Sequence, residues 1–332
     1  MVWPETQQRA SSWQKMSDSV LGRPTTGIIP SSANFAELRE FYEAWGHRTV
    51  VEGGALWFDG GFFSMMSIPT THVPGIETSA VRRLLARTGK AAAIYRVSEQ
   101  GETSVPLFML RDKSYDLDHL QRQFRQKVLA AAPALQVREC SWEEWRIAAS
   151  RCDRDTLTRH RRAVPVSHPL LLSAGRERIA QVAALVPGLR VHACFYGDEI
   201  VAYLAHLTFG DICEGLLAHR CECDRASPAR FASHLLYFSF AKAALARPEI
   251  SSVCVGRQSV PANESLARFK RQAGFLDEPC HLRIRLHPRV APLVENRAAA
   301  AILRKIRSSF AGRIPVLNNL EVLERSAFRC QG

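Results

Sequence analysis

The stretch Val255-Gly256-Arg257-Gln258-Ser259-Val260-Pro261-Ala262-Asn263-Glu264-Ser265-Leu266-Ala267-Arg268-Phe269-Lys270-Arg271-Gln272-Ala273-Gly274-Phe275 decides the reading of this chain. It continues a β-rich apolar run, Ser251 to Val255, that ends at a Gly-Arg corner. Pro261 then opens a short amphipathic helix, and Gly274-Phe275 stops it. A strand end, a fixed cation and a helix start are thereby gathered within a few residues. Open sheets commonly hold ligands at such a place.

Upstream, Leu189 to Tyr196, Ile200 to Phe209 and Ile212 to His219 read as three successive strands, turned at Gly197-Asp198 and Gly210-Asp211. Ala229 to Ala246 carries Phe231, Leu235, Phe238 and Leu245 along one helical stripe. Downstream come a strand, His281 to Leu286, and an Ala-rich helix from about Ala291 to Ala311, stopped by Gly312. The meander is preceded by a helix from Asp116 to about Ala131, with Leu117, Leu120, Phe124, Val128 and Leu129 inward. A short strand (Gln136 to Cys140), a capping box at Ser141-Trp142-Glu143-Glu144 and a helix capped by Ser173 follow. The basic run between them, Arg151 to Arg162, reads as a solvated helix face.

The first third shows a helix from Asn34 to Trp45, a hairpin from Ala55 to Ile68 turned at Asp59-Gly60-Gly61, and a helix from Thr78 to Thr88 ended by Gly89. Strands at Ala91 to Val97 and Val105 to Arg111 complete an order that looks like half of an open mixed sheet.

This pattern resembles the GNAT acyltransferase superfamily. Asn263, Ser265, Phe269 and Gly274-Phe275 fall where that superfamily usually has Asn, a small residue, an apolar residue and Gly-Phe. Phe269-Lys270 in place of the usual Leu-Tyr is similar to a subgroup that includes the Fem peptidoglycan-bridge aminoacyltransferases and the tandem-GNAT, polysaccharide-associated acetyltransferases of the cell envelope. The resemblance implies an α/β fold of tandem GNAT-like domains, with mixed, mostly antiparallel sheets flanked by helices. An N-terminal arm is expected over residues 1–33, a degenerate GNAT-like domain over 34–114, and a GNAT-like acyltransferase domain with a C-terminal helix over 115–332.

The activity so implied is N- or O-acyl transfer by direct attack. An acyl group, acetyl foremost, passes from acetyl-CoA or another acyl-CoA to an amine or hydroxyl. A small amine, a sugar or a peptidoglycan precursor is the implied acceptor. Two alternatives stand beside it: a Fem-type aminoacyltransferase using aminoacyl-tRNA, and an inactive basic binding or scaffold module of the same fold.

Candidate residues follow. Ser227-Pro228 joins a good N-cap to a residue suited to the first helical position, leaving N–H groups near Ala229 and Arg230 for an anion. Arg220, Arg225 and Arg230 surround that helix start, which the resemblance makes the coenzyme A pyrophosphate site, with Asn263 also on the donor side. The usual Gly-rich loop is absent from Arg225-Ala226-Ser227-Pro228-Ala229. Glu214, a carboxylate inside an apolar strand, should have a raised pKa suited to a general base, with His219 and Asp224 as rivals. Arg257 offers a cation at the strand end. Lys270 replaces a tyrosine that protonates the leaving thiolate in many GNAT enzymes, and it can stabilise developing negative charge.

Composition sets the limits. The 332 residues carry a formal charge of +12, mostly from arginine, which suits anionic partners or an Arg-rich solvated surface. Nine scattered cysteines read as reduced, buried thiols of a cytoplasmic protein. Cys221-x-Cys223 lacks the second ligand pair of a structural zinc site, so no metal is expected. No apolar run reaches the roughly 20 residues of a membrane span, and the N-terminus lacks a secretory pattern. Neither a Gly-x-Ser-x-Gly elbow nor a Walker loop occurs.

Overall fold

The computed structural model describes residues 32–60, 63–98, 101, 103–159, 168–223, 226–258, 263–292 and 305. The N-terminal arm, Asp224, Arg225 and nearly all of the helix expected from Ala291 lie outside these residues. In chain order the elements are α1 (Ser32–Ala44), β1 (Thr49–Glu52), β2 (Ala55–Asp59), β3 (Ser64–Ile68), α2 (Thr78–Thr88), β4 (Ala92–Arg96) and β5 (Thr103–Leu110). There follow α3 (Arg122–Ala131), β6 (Gln136–Cys140), α4 (Trp142–Ala148), α5 (Ser150–Arg159) and α6 (Ser173–Leu185). Then come β7 (Leu189–Tyr196), β8 (Glu199–Phe209), β9 (Ile212–Arg220), α7 (Ala232–Leu245), β10 (Ser252–Arg257), α8 (Glu264–Gln272) and β11 (Leu276–Leu286).

The strands form one eleven-stranded sheet in the order β1-β2-β3-β4-β11-β5-β10-β9-β8-β7-β6. The pairs β3–β4 and β9–β10 are parallel and the others antiparallel. The α/β class with a mixed, mostly antiparallel sheet is therefore observed. β11, from the end of the described chain, inserts between β4 and β5 and stitches the first third to the rest. Its first half carries Asp277, Glu278 and Pro279, which hide a strand from a propensity reading, so the expected strand began only at His281.

Helices cover both faces. One core joins α1, α4 and α6 to the β7–β8 meander through Phe41, Trp142, Trp145, Ile179 and Tyr203. A second joins α3, α7 and α8 through Phe124, Leu235, Phe240, Ala267 and Phe275, and a further one packs α2 on β2 and β4 through Leu84, Trp57 and Tyr95. The helix expected from Asp116 breaks into a 3-10 turn, Leu117–His119, capped by Asp116, before α3 starts at Arg122. Leu129, expected inside, is exposed. Ser141 does cap α4, accepting from the Glu144 N–H at 3.0 Å, but the Glu144 carboxylate pairs with Arg138 instead of reaching back. Strand β1 escaped sequence reading because Thr49 to Glu52 is too short to show alternation.

The basic run is not a solvated face throughout. Cys152, Asp153, Thr156 and Leu157 of α5 are buried against β8 and β9, and Arg151, Arg154 and Thr158 reach solvent. Helical spacing gave that face away only weakly, because an aspartate stands at its centre.

The feature that positions the site is a split in the sheet. β9 and β10 pair at Ser252–Ile212, Val253–Cys213 and Cys254–Glu214, and pairing then stops. Gly256, at φ +79°, turns β10 away from β9 in a conformation that side chains with a Cβ rarely adopt. Gly274, at φ +90°, makes the other corner. A Cβ there would come within 3.1 Å of Tyr115 and 3.2 Å of the His119 carbonyl oxygen.

Candidate active site

Two cavities meet at the split. One, of about 640 Å³, lies beside α7 and α8, and Arg220, Arg230, His234, Tyr237, Asn263 and Phe269 are among the residues lining it. The other, of about 670 Å³, lies on the α1 side, walled by Tyr42, Trp45, His47 and Phe58 and floored by Glu214, Gly256 and Arg257. Gly215, Leu216, Leu217, His219, Val255 and Lys270 line both. Both volumes fall in the ordinary range of small-molecule sites.

Lys270 stands at the junction. Helix α8 buries Ala267 and Lys270 on one stripe, leaving Lys270 5 % exposed, while Phe269 is only half-buried against Phe124, His234 and Tyr237. The ammonium lies 4.6 Å from the centre of the Phe108 ring and has no carboxylate partner among the described residues. Burial lowers its pKa to about 8. Arg257 is half-buried at the end of β10, where an Nη2–H points at the Met66 sulfur at 2.9 Å. It too has no carboxylate partner among the described residues, and burial disfavours its charged form.

Glu214 is 2 % exposed and fully engaged. Its Oε1 accepts from the Thr70 N–H at 2.8 Å, and its Oε2 accepts from the Thr71 N–H at 2.9 Å and the Thr71 hydroxyl at 2.6 Å. The carboxylate thus ties β9 to the loop after β3. Taking up a proton would disturb that latch.

His219 is set differently. Its Nδ1 lies 2.7 Å from Asp153 Oδ1 and 3.2 Å from the Tyr203 hydroxyl, and Nε2 has no partner among the described residues. Asp153, fully buried, also receives the Tyr203 hydroxyl and an ion pair from Arg176. Arg176 is held in turn by the Trp145 carbonyl oxygen at 2.7 Å and the Arg146 carbonyl oxygen at 3.0 Å. Burial, then the Asp153 charge, keeps the Tyr203 phenol well above its ordinary pKa, so it remains a donor. A carboxylate on Nδ1 makes that nitrogen a donor and fixes the orientation of the ring. Sequence spacing cannot bring Asp153 to His219. Only the packing of α5 across the end of β9 does so.

On the α7 side the outcome is mixed. Arg220 and Arg230 line the cavity, and Asn263 lines it while capping α8 through a 3.1 Å bond from the Leu266 N–H. Ser227 and Ala229 satisfy each other instead. The Ser227 hydroxyl accepts from the Ala229 N–H at 3.2 Å, and the Ser227 carbonyl oxygen accepts from the Arg230 N–H at 3.2 Å. The N–H groups expected to face an anion are therefore occupied, because the helix opens with a 3-10 turn, Pro228–Phe231. Arg159, unforeseen from sequence, joins Arg220 in the lining and donates to the Arg220 carbonyl oxygen at 2.8 Å. Burial, then the neighbouring Arg220 charge, lowers its pKa. Burial also lowers His234 to about 4, so it lines this cavity as a neutral ring.

Among the described residues no group of three or more His, Cys, Asp and Glu is arranged to hold a metal ion. No helix among them is long and apolar enough to cross a membrane.

No family model matches the sequence. No curated protein matches it either. Solved structures similar to it include the C-terminal domain of a lysylphosphatidylglycerol synthetase from Agrobacterium fabrum. That domain is 13 % identical, with a TM-score of 0.49, covering 92 % of this chain and 99 % of its own. FemX is 10 % identical with a TM-score of 0.48, covering 83 % of this chain and 96 % of its own. A tandem GNAT protein from the clavulanic acid biosynthesis pathway is 10 % identical with a TM-score of 0.40, covering 70 % of this chain and 78 % of its own. These are likenesses of fold alone. Its chemistry has to be read from its own side chains.

Proposed function

We propose that the protein is an acyltransferase in which an acyl-CoA thioester enters from the α7–α8 cavity and an amine or hydroxyl acceptor from the α1 cavity. The two react at the split between β9 and β10. The single observation that carries this reading is the pair Lys270 and His219, each lining both cavities.

His219 takes the acceptor's proton on Nε2 as the acceptor's nitrogen or oxygen attacks the thioester carbon. Asp153 and Tyr203 hold Nδ1 and keep the ring oriented for that transfer. Lys270 stabilises the negative charge that develops beside it and gives a proton to the departing thiolate as the carbon–sulfur bond breaks. A pKa near 8 suits that step at neutral pH. Solvent then removes the proton from His219 and restores that of Lys270. Arg220, Arg230 and Arg159 bind the donor phosphates, and Asn263 lines their cavity. Arg257 faces the acceptor. Glu214, the base expected from sequence, serves here as the latch that shapes the acceptor cavity.

Thermal shift with acetyl-CoA, coenzyme A and tRNA side by side, followed by a thiol-release screen over amines and sugars, tests the reading. Acetyl-CoA at about a hundred times its dissociation constant should stabilise the fold by roughly 2.7 kcal/mol. A shift with tRNA alone would replace it by aminoacyl transfer, and no shift with any of the three would favour a binding module.

A further inference from the structure

The α1 cavity holds two cations of opposite duty. Lys270 faces the split, whereas Arg257 sits where Met66 meets the cavity wall. The only carboxylate among its described lining residues is Glu214, and three donors from Thr70 and Thr71 already occupy it. A partly desolvated guanidinium without a carboxylate partner is costly unless a ligand supplies the negative charge. A continuous aromatic wall begins at the same point. Met66 is the cross-strand neighbour of Phe58. The Phe58 ring lies 5.7 Å from Tyr42 and 5.5 Å from His47, and His47 lies 6.1 Å from Trp45.

We infer that this cavity selects an acceptor carrying an anionic group on a ring, with Arg257 clamping the anion and the Tyr42–Trp45–His47–Phe58 wall covering the ring's face. A guanidinium grips carboxylate or phosphate through paired N–H donors, and aromatic walls suit flat rings and the apolar faces of sugars. The first third of the chain would then supply the wall that covers the ring, while the later part supplies the anion clamp and the chemistry. This rests on the proposed placement of the acceptor, but its test needs no turnover.

Calorimetric titration of the full chain with two matched pairs separates the sources of the anion: glucosamine against glucosamine 6-phosphate, and tyramine against tyrosine. The anionic member of at least one pair should bind about tenfold more tightly or better, the scale of one charge-assisted hydrogen bond. Arg257→Met should abolish that preference and Arg257→Lys keep part of it, with acetyl-CoA affinity unchanged in both. Should the Met variant fold poorly, added salt must weaken the anionic member selectively in the wild type. Equal or absent binding within both pairs, or a preference that survives in Arg257→Met or is insensitive to salt, would overturn the inference. Failure of acetyl-CoA to bind would strike the proposed reaction and leave this preference standing.

Discussion

Asp153 on α5 and His219 on β9 lie 66 residues apart in sequence, yet a 2.7 Å contact joins Asp153 Oδ1 to His219 Nδ1. The consequence is a histidine with one nitrogen committed to the protein, on a residue that lines both cavities. His219→Gln should therefore lower turnover by on the order of 100-fold or more, with donor affinity nearly intact. Steady-state kinetics and acetyl-CoA titration on the same sample separate the two effects. Asp153→Asn should do more harm to the fold, because it leaves Arg176 buried without its counter-charge, a loss on the order of 3 to 5 kcal/mol.

Glu214→Gln should behave in the opposite way. A glutamine offers one acceptor oxygen where the carboxylate offers two, so one buried donor of Thr70 or Thr71 loses its partner. Stability should fall by about 1 to 3 kcal/mol, with a smaller effect on turnover than His219→Gln. Denaturant unfolding beside kinetics reads both. A large loss of turnover at full stability would return the base role to Glu214.

Lys270 couples function to stability with a definite sign. In the unfolded chain it holds its proton up to its ordinary pKa of 10.5, and in the folded protein only up to about 8. Between these values the unfolded state binds more protons, so raising the pH through this window favours folding. Below about 8 the buried ammonium carries the whole difference, on the order of 3 kcal/mol. Lys270→Met should accordingly be more stable than wild type near pH 7 and lose that advantage above about pH 10, while its turnover falls. Melting curves across pH 6 to about 10.5 check this, and a destabilised Met variant at neutral pH would contradict it.

Arg220→Ala with Arg230→Ala should weaken any phosphate-bearing donor, and added salt should mimic the loss. Ser227→Ala should instead cost about 1 kcal/mol of stability with donor affinity unchanged, because Ser227 caps its own turn. Titration of both variants and the wild type with coenzyme A makes the comparison.

The fold was legible in sequence where periodicity was strong. The β7–β9 meander with its Gly-Asp turns, helix α7, and the Gly256 and Gly274 corners all stand where their residues place them. Strand β11 was half-hidden by Asp277, Glu278 and Pro279, since strand propensity describes a partly buried pleat and its sheet position overrides composition. The site was less legible. Arg257 at the Gly-Arg corner was visible through local spacing, and Lys270 in the last turn of α8 through the resemblance carried by Phe269-Lys270, but the Asp153–His219 pair and the Glu214 latch are long-range packing events. A polar residue on a buried helix face reads as solvated until its partner is known, and α5 shows it at Asp153.

The most direct test of transfer through the split is a crystal structure of the full chain with acetyl-CoA bound. The account predicts phosphates against Arg220 and Arg230, and a thioester carbonyl between β9 and β10 within about 3.5 Å of the Lys270 ammonium, the distance a reacting geometry requires. A donor bound with its thioester outside the split, away from Lys270 and His219, would contradict it.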